Sequence, residues 1–155
     1  MDINTDRLIL IVTGAHLKAE ASDRPLAYHL RKVMSDWLTR KGLPENPECP
    51  RVLVCSDVWY LNNEPLRSRP TVSIGGPGVN ALSAYLGDKL PSAFSIENVL
   101  LVQADLEFID VVATCWGVDD SSTAAAVEAF ANKYLDAFMT AATACSSRPI
   151  RLVHS

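Results

Sequence analysis

The sequence predicts an α/β fold, namely a three-layer α/β/α sandwich, Rossmann-like, around a mostly parallel or mixed sheet of about five strands. Short aliphatic runs alternate along the chain with amphipathic helical patterns. Several of these runs end in small or polar residues. The chain has 155 residues, of which 48% are hydrophobic and 21% charged. These values suit one globular domain, residues 1–155, large enough to bury a core.

The first strand and the first helix have the clearest patterns. Leu8–Val12 is continuously aliphatic and ends at Thr13-Gly14, as expected of a strand buried on both faces. A polar loop follows. A helix then begins near Ser22-Asp23 with Pro25 in its first turn and ends at Gly42, and its apolar residues recur on one side.

In the middle of the chain, the residue pattern predicts two more strands, a loop and a shorter helix. One strand lies in Arg51–Asp57, and a loop follows over Leu61–Pro70. The next strand, Thr71–Ile74, runs into Gly75–Gly78. A helix then begins at Val79 and ends near Gly87 or Pro91.

The last part of the chain predicts two strands and a long helix. Asn98–Gln103 and Phe108–Trp116 are separated by so few residues that the pair could be an antiparallel hairpin. Asp119–Ser122 caps an alanine-rich helix. The tail, Pro149–His154, could add an edge strand.

Composition argues against several classes of partner and location. The formal net charge of −4 and the absence of a basic stripe argue against nucleic-acid binding. The first residues lack the order of a signal peptide, and the longest apolar stretch, Val99–Val118, contains charged residues, so no membrane segment is expected. The four cysteines show no metal-ligand spacing, which predicts no metal site and a reduced, cytoplasmic setting.

Small and polar residues collect at four predicted strand ends. They are Gly14, Asp57, the Gly75–Gly78 loop and Asp119. Ligands of open α/β sheets bind at the carboxyl ends of the strands. A crevice bounded by these residues is therefore the expected ligand site, although ordinary loop composition would produce part of the same pattern.

The glycine loop has the most specific pattern of the four. Gly75, Gly76 and Gly78 permit positive φ and close backbone approach, and the next helix would direct free N–H groups at an anion such as phosphate or carboxylate. Pro77 removes one donor, and Asn80 could add a side-chain amide. The alternative is a structural turn without a ligand.

The two acidic residues at strand ends have two interpretations. Asp57 and Asp119 are the candidate catalytic residues, as acid/base or hydroxyl-binding groups. Asp119 also stands where a helix-capping carboxylate is expected.

The glycine loop does not match either of two known nucleotide-binding motifs completely. No Gly-Lys-Ser or Gly-Lys-Thr follows the loop, so it is not a Walker A motif. Gly76, Gly78 and Ala81 partly fit the dinucleotide fingerprint, with Asp105 as the residue that could bind a ribose. Cofactor identity stays unknown.

Other candidate groups are less specific. Cys115 with His16 could form a nucleophile pair, but a buried thiol is the simpler interpretation. Arg67 and Arg69 could clamp a phosphate or lie on a solvated face.

Two segments resemble archaeal surface-layer proteins. Thr71–Leu82 is similar to their Gly-Gly-Pro-x-x-Asn strand-to-helix segment, and Trp116–Ala126 is similar to a later strand that leads into an alanine-rich helix. The resemblance implies an α/β fold in which these two turns lie together. A surface-layer role is not expected, because no secretion signal is recognised.

Two functions of different kinds follow. The first is a domain that binds a small anionic or nucleotide-like molecule, with or without catalysis. The alternative is a non-catalytic interaction or assembly module, a homodimer that buries the alanine-rich helix or edge strands.

Overall fold

The α/β prediction is confirmed by the computed structural model, which describes residues 5–105 and 107–145. The described strands are β1 (Leu8–Thr13), β2 (Arg51–Ser56), β3 (Thr71–Ile74), β4 (Ser92–Ile96), β5 (Leu100–Ala104) and β6 (Val112–Gly117). The α-helices are α1 (Leu17–Ser22), α2 (Arg24–Arg40), α3 (Asp57–Leu61), α4 (Ala81–Leu86), α5 (Asp120–Lys133) and α6 (Leu135–Cys145).

The six strands form one mixed sheet in the order β2-β1-β3-β6-β5-β4. The first four are parallel, while β5 is antiparallel to both β6 and β4. The predicted antiparallel hairpin is therefore present as β5 and β6. Strand β2 lies on one side of β1 and β3 on the other, so the direction of strand succession reverses between β1 and β3. This topological switch point is the usual place for a ligand in such sheets.

Helices cover both faces of the sheet, unequally. Ile9 and Ile11 of β1 join the core beneath α2, α5 and α6, where Phe130 and Phe138 are fully buried. The other face has a smaller core under α3, α4 and the 3-10 helix Glu64–Ser68. Because β1 contributes side chains to both cores, all six of its residues are buried.

Two short helices lie where no helix was predicted, and each begins at a side-chain cap. The Nδ1 atom of His16 accepts the amide hydrogen of Lys18 at 3.2 Å, which begins α1. The hydroxyl oxygen of Ser56 accepts that of Trp59 at 3.2 Å, which begins α3. Each cap satisfies a backbone donor that a short helix leaves unpaired.

The end of the chain differs from the prediction in two respects. Strand β4 lies where no strand was predicted, and the expected long helix is divided at Tyr134 into α5 and α6. The Tyr134 hydroxyl donates to the carbonyl oxygen of Ala93 in β4 at 2.9 Å, which ties the break to the sheet. The possible edge strand Pro149–His154 lies outside the described residues. Within the described ranges no helix is long and apolar enough to cross a membrane.

Candidate functional site

A pocket of about 330 Å³ opens at the carboxyl ends of β3 and β6. Its walls are the junction of α1 and α2, the loop 76–79, the end of β6 at residues 116–118, and the first turn of α5. The loop 76–79 and the turn from β6 into α5 thus lie side by side and line the same pocket.

Asp23 is the buried acidic residue of this pocket. It lies between α1 and α2, is 5% exposed and lines the pocket wall. It occupies the N-cap position of α2, yet its side chain makes no capping hydrogen bond, and no other described residue donates to it. Because no described residue donates to these two oxygens, a molecule in the pocket can supply the donor.

Gly75 allows Asp23 to reach this position. Its φ of 109° lies in a region that L side chains rarely adopt. A Cβ at this position would lie 2.5 Å from Oδ2 of Asp23. Glycine is therefore required for both the turn and the approach of the carboxylate.

Trp116 supplies the aromatic part of the wall. Its ring is half-buried at the end of β6 and lies opposite Gly76, where a Cβ would be 3.4 Å from the ring carbon Cε3. A small residue at position 76 keeps one part of the indole uncovered. An aromatic face beside carboxylates suits ligands that combine an apolar part with a hydrogen-bond donor.

The side chains around the pocket are predominantly acidic. Asp23, Asp119 and Asp120 contribute three carboxyl groups, against one ammonium group from Lys18. Burial, followed by repulsion from Asp120, raises the pKa of Asp23 from 3.8 to about 6, although Lys18 opposes the change. The hydrogen bond from Ser122 lowers the pKa of Asp119. With a pKa of about 6, Asp23 is mainly ionised at neutral pH.

Asp57, a predicted catalytic residue, has a structural role instead. Its Oδ1 atom accepts the amide hydrogens of Ala15 at 3.0 Å and Val58 at 2.7 Å, and its Oδ2 atom accepts that of Ala81 at 2.8 Å. The side chain is buried and does not line the pocket. Asp57 therefore joins the loops after β1, β2 and β3 at the switch point.

Asn80 fills the space at the switch point. The prediction that its side-chain amide binds a ligand is therefore wrong. Its side chain donates to the carbonyl oxygens of Val12 and Ile74 at 3.2 and 2.9 Å. Its Oδ1 atom accepts the amide hydrogens of Leu82 and Ser83 at 2.9 and 3.3 Å. The residue is 1% exposed, so no part of it is available to a ligand.

Gly14 contributes packing at the switch point. It is buried, and a Cβ there would overlap the carbonyl oxygen of Val79. The part of the predicted crevice that lies between Gly14 and Asp57 is thus filled by the protein's own groups. The pocket lies one strand further along, between β3 and β6.

Part of the expected array of amides at the glycine loop is already bonded within the fold. The amide of Gly75 donates to Cys115 at 3.0 Å, and those of Val79 and Asn80 donate to the carbonyl oxygen of Gly76 at 3.1 and 3.0 Å. The first amides of α4 are also used, by Asp57 and Asn80. Gly76 and Gly78 still line the pocket, but the helix after the loop offers it no donors.

Asp119 is the predicted catalytic residue that the structure does place at the pocket. It lies at its edge, exposed, and its Oδ1 atom accepts the amide hydrogen of Ser122 at 2.7 Å as the N-cap of α5. One carboxylate oxygen therefore has a structural partner, while the side chain remains next to the pocket.

The remaining candidates take structural positions. Asp105 lies at the end of the antiparallel strand β5, at the opposite edge of the sheet, and accepts amide hydrogens of its own loop. It cannot serve as the ribose ligand of a dinucleotide site at the glycine loop. Cys115 is fully buried, which raises the pKa of its thiol and disfavours a nucleophilic role. Arg67 and Arg69 donate to the carbonyl oxygens of Leu61 and Leu8, respectively.

Sequence reasoning missed Asp23 and Lys18 as pocket residues. Asp23 precedes Arg24-Pro25, a pattern that predicts a helix start and a capping role. Nothing in that pattern shows that the carboxylate turns away from the helix toward β3. Within the described residues no group of three or more metal-ligating side chains could hold a metal ion.

Comparison with protein-family models, with curated proteins and with solved structures gives no significant match to this chain. The pocket itself is therefore the basis for assigning a function.

Proposed function

We propose that this protein binds a small polar molecule in the pocket between the Gly75–Gly78 loop and the first turn of α5. One observation carries the proposal: Asp23 is buried, its carboxylate accepts no hydrogen bond from any described residue, and it lines a cavity at the carboxyl ends of two parallel strands. Proteins rarely leave a buried charged group without a partner unless a ligand or solvent supplies one.

Charge distinguishes between classes of ligand. Three carboxyl groups and one ammonium group leave the wall acidic, so a phosphate or carboxylate would experience net repulsion. Ligands that donate hydrogen bonds to carboxylates fit better than the anionic or nucleotide-like ligands that the glycine loop alone predicts. Anionic ligands are the alternative outcome of the test below.

The test is a ligand screen by nuclear magnetic resonance on the ¹⁵N-labelled full chain, with amines, sugars, nucleosides and nucleotides as probes. At least one class should cause saturable shifts of the amide signals of Gly76, Gly117 and Val118. Gly76→Val should abolish these shifts, because its branched side chain would extend toward Trp116. Ala84→Val is the matched control, since Ala84 is exposed and outside the pocket. Shifts confined to other surfaces, or none, would contradict the proposal.

The assembly function is the second candidate, and of its two predicted surfaces the edge strand supports it better than the alanine-rich helix. The alanine-rich helix is used inside the protein, where Ala126, Phe130 and Ala142 are fully buried. Ile96 and Val99, which flank the turn between β4 and β5, are 48% and 38% exposed. Among the described strands, β4 also has one unpaired edge, which can pair with a second copy.

Light scattering during size-exclusion chromatography tests this candidate. A homodimer that Ile96→Lys converts to monomer would support it. A monomer at millimolar concentration would rule out a homodimer through this edge.

A further inference from the structure

We infer that the ligand of this pocket carries a cationic amine, which Asp23 binds beside the ring of Trp116. The inference rests on the proposed function and specifies the class of molecule bound at the same site.

Asp23 has no hydrogen-bond donor among the residues that the structure describes. The described ion pairs do not include it, and its side chain makes no capping bond. Asp119 and Asp120, in contrast, accept hydrogen bonds from Ser122 and from the Ser22 hydroxyl at 2.7 and 3.1 Å. Asp23 is therefore the wall carboxylate whose hydrogen-bonding capacity is unused.

A positive charge on the donor matches the surroundings better than a neutral hydroxyl. Asp120 is close enough to raise the pKa of Asp23 by repulsion, so a cation placed between the two carboxylates relieves that repulsion. Hydrogen bonds between an ammonium group and a carboxylate are also stronger than those from a neutral donor. Lys18 is exposed at the edge of the pocket and compensates only part of the negative charge.

Trp116 also favours a cationic ligand. Its half-buried indole lines the same pocket as Asp23, and the face of an indole attracts organic cations. An apolar part of the ligand can pack on the ring that Gly76 leaves uncovered. An amine with a short apolar or aromatic group thus satisfies the carboxylate and the ring together.

Three probes of nearly the same shape test the inference on the ¹⁵N-labelled full chain. They are phenethylamine (cationic), 2-phenylethanol (neutral) and phenylacetate (anionic). The dissociation constant of each is measured from the amide shifts of Gly76 and Val118 and from the indole N–H signal of Trp116. We expect phenethylamine to bind at least tenfold more tightly than 2-phenylethanol and phenylacetate to bind most weakly.

Two variants assign the preference to these residues. Asp23→Asn should reduce the preference for the amine to less than threefold, while Asp88→Asn, which removes an exposed charge outside the pocket, should preserve it. Trp116→Leu should weaken the binding of all aromatic probes and serves as a second variant if Asp23→Asn does not fold.

The outcomes distinguish a failure of the amine inference from a failure of the proposed function. If phenylethanol or phenylacetate binds in the pocket as tightly as the amine, the amine inference is wrong and the proposed function stands. The same conclusion follows if no amine binds but another class in the ligand screen does. If no probe of any class shifts the pocket signals, both are wrong.

Discussion

Asp23 shows how one side chain can make stability depend on pH. Its pKa in the folded protein is about 6, above the ordinary value of 3.8, because burial and Asp120 disfavour the ionised form. Ionisation therefore destabilises the fold. The cost is fully present above about pH 6, decreases as the pH falls, and is absent below the unfolded pKa of 3.8. A pKa difference of this size corresponds to at most about 3 kcal/mol.

Replacing this carboxyl group should stabilise the protein at neutral pH. We expect Asp23→Asn to increase the free energy of unfolding above pH 6 by about 1–3 kcal/mol and to have a much smaller effect near pH 4. Urea denaturation at several pH values measures this difference, with Asp88→Asn as the control. A variant less stable than the natural protein at pH 8 would contradict the assignment of Asp23 as an unpaired buried charge.

Asn80 is the opposite case, a buried polar side chain with four hydrogen bonds. Asn80→Ala should lower the free energy of unfolding by about 3 kcal/mol or more, since several buried backbone groups lose their partners. Thermal and urea denaturation measure the loss. Asn132→Ala, at an exposed position, should change stability by less than about 0.5 kcal/mol. Equal effects of the two substitutions would show that Asn80 does not hold the switch point closed.

At the scale of elements, hydrophobic periodicity predicted β1 and α2 well. The burial of β1 on both faces and the apolar side of α2 can be recognised from the sequence alone. Helices α1 and α3 could not be recognised in this way, because each is short and begins at a single side-chain cap. Strand β4 was missed because it is a partly exposed edge strand.

The break between α5 and α6 depends on a contact that is distant in sequence. Tyr134 donates its hydroxyl hydrogen to Ala93, 41 positions earlier in the chain. We expect Tyr134→Phe to lower stability by about 1 kcal/mol, the usual contribution of one hydrogen bond. Urea denaturation provides the measurement. Tyr85→Phe, at an exposed site, is the control and should have no effect; an equal loss in both variants would rule out a specific role for Tyr134.

For the whole molecule, the larger core should dominate stability. Phe138 is fully buried and makes edge-to-face contacts with Phe108 and Phe130 at centroid distances of 5.8 and 5.5 Å. Phe138→Ala should lower the free energy of unfolding by about 3–5 kcal/mol, which combines lost transfer energy with a cavity. Calorimetry and urea denaturation measure this loss, whereas Val58→Ala, which is 54% exposed in the natural protein, should be nearly neutral. A loss below about 1 kcal/mol would show that the core relaxes around the cavity.

The order of strands in the sheet decided where the pocket lies. The sequence indicates that the ends of β1, β2, β3 and β6 are small and polar, but not which of these ends are neighbours. Between β1 and β3, Asp57 and Asn80 use their hydrogen-bonding groups on the backbone and fill the space. The pocket is open at the next pair of strands, β3 and β6.

The sequence by itself determined the α/β class, the buried parallel strands and the glycine turn, because these follow from local periodicity and from the conformational freedom of glycine. The tertiary structure alone decided which polar residues are bonded within the fold and which have no partner among the described residues. Asp57 and Asp23 are the same residue type near the start of a helix, yet the backbone amides around Asp57 satisfy its carboxylate and none reaches that of Asp23. That difference arises from neighbours far apart in the chain, and composition and spacing do not encode it locally.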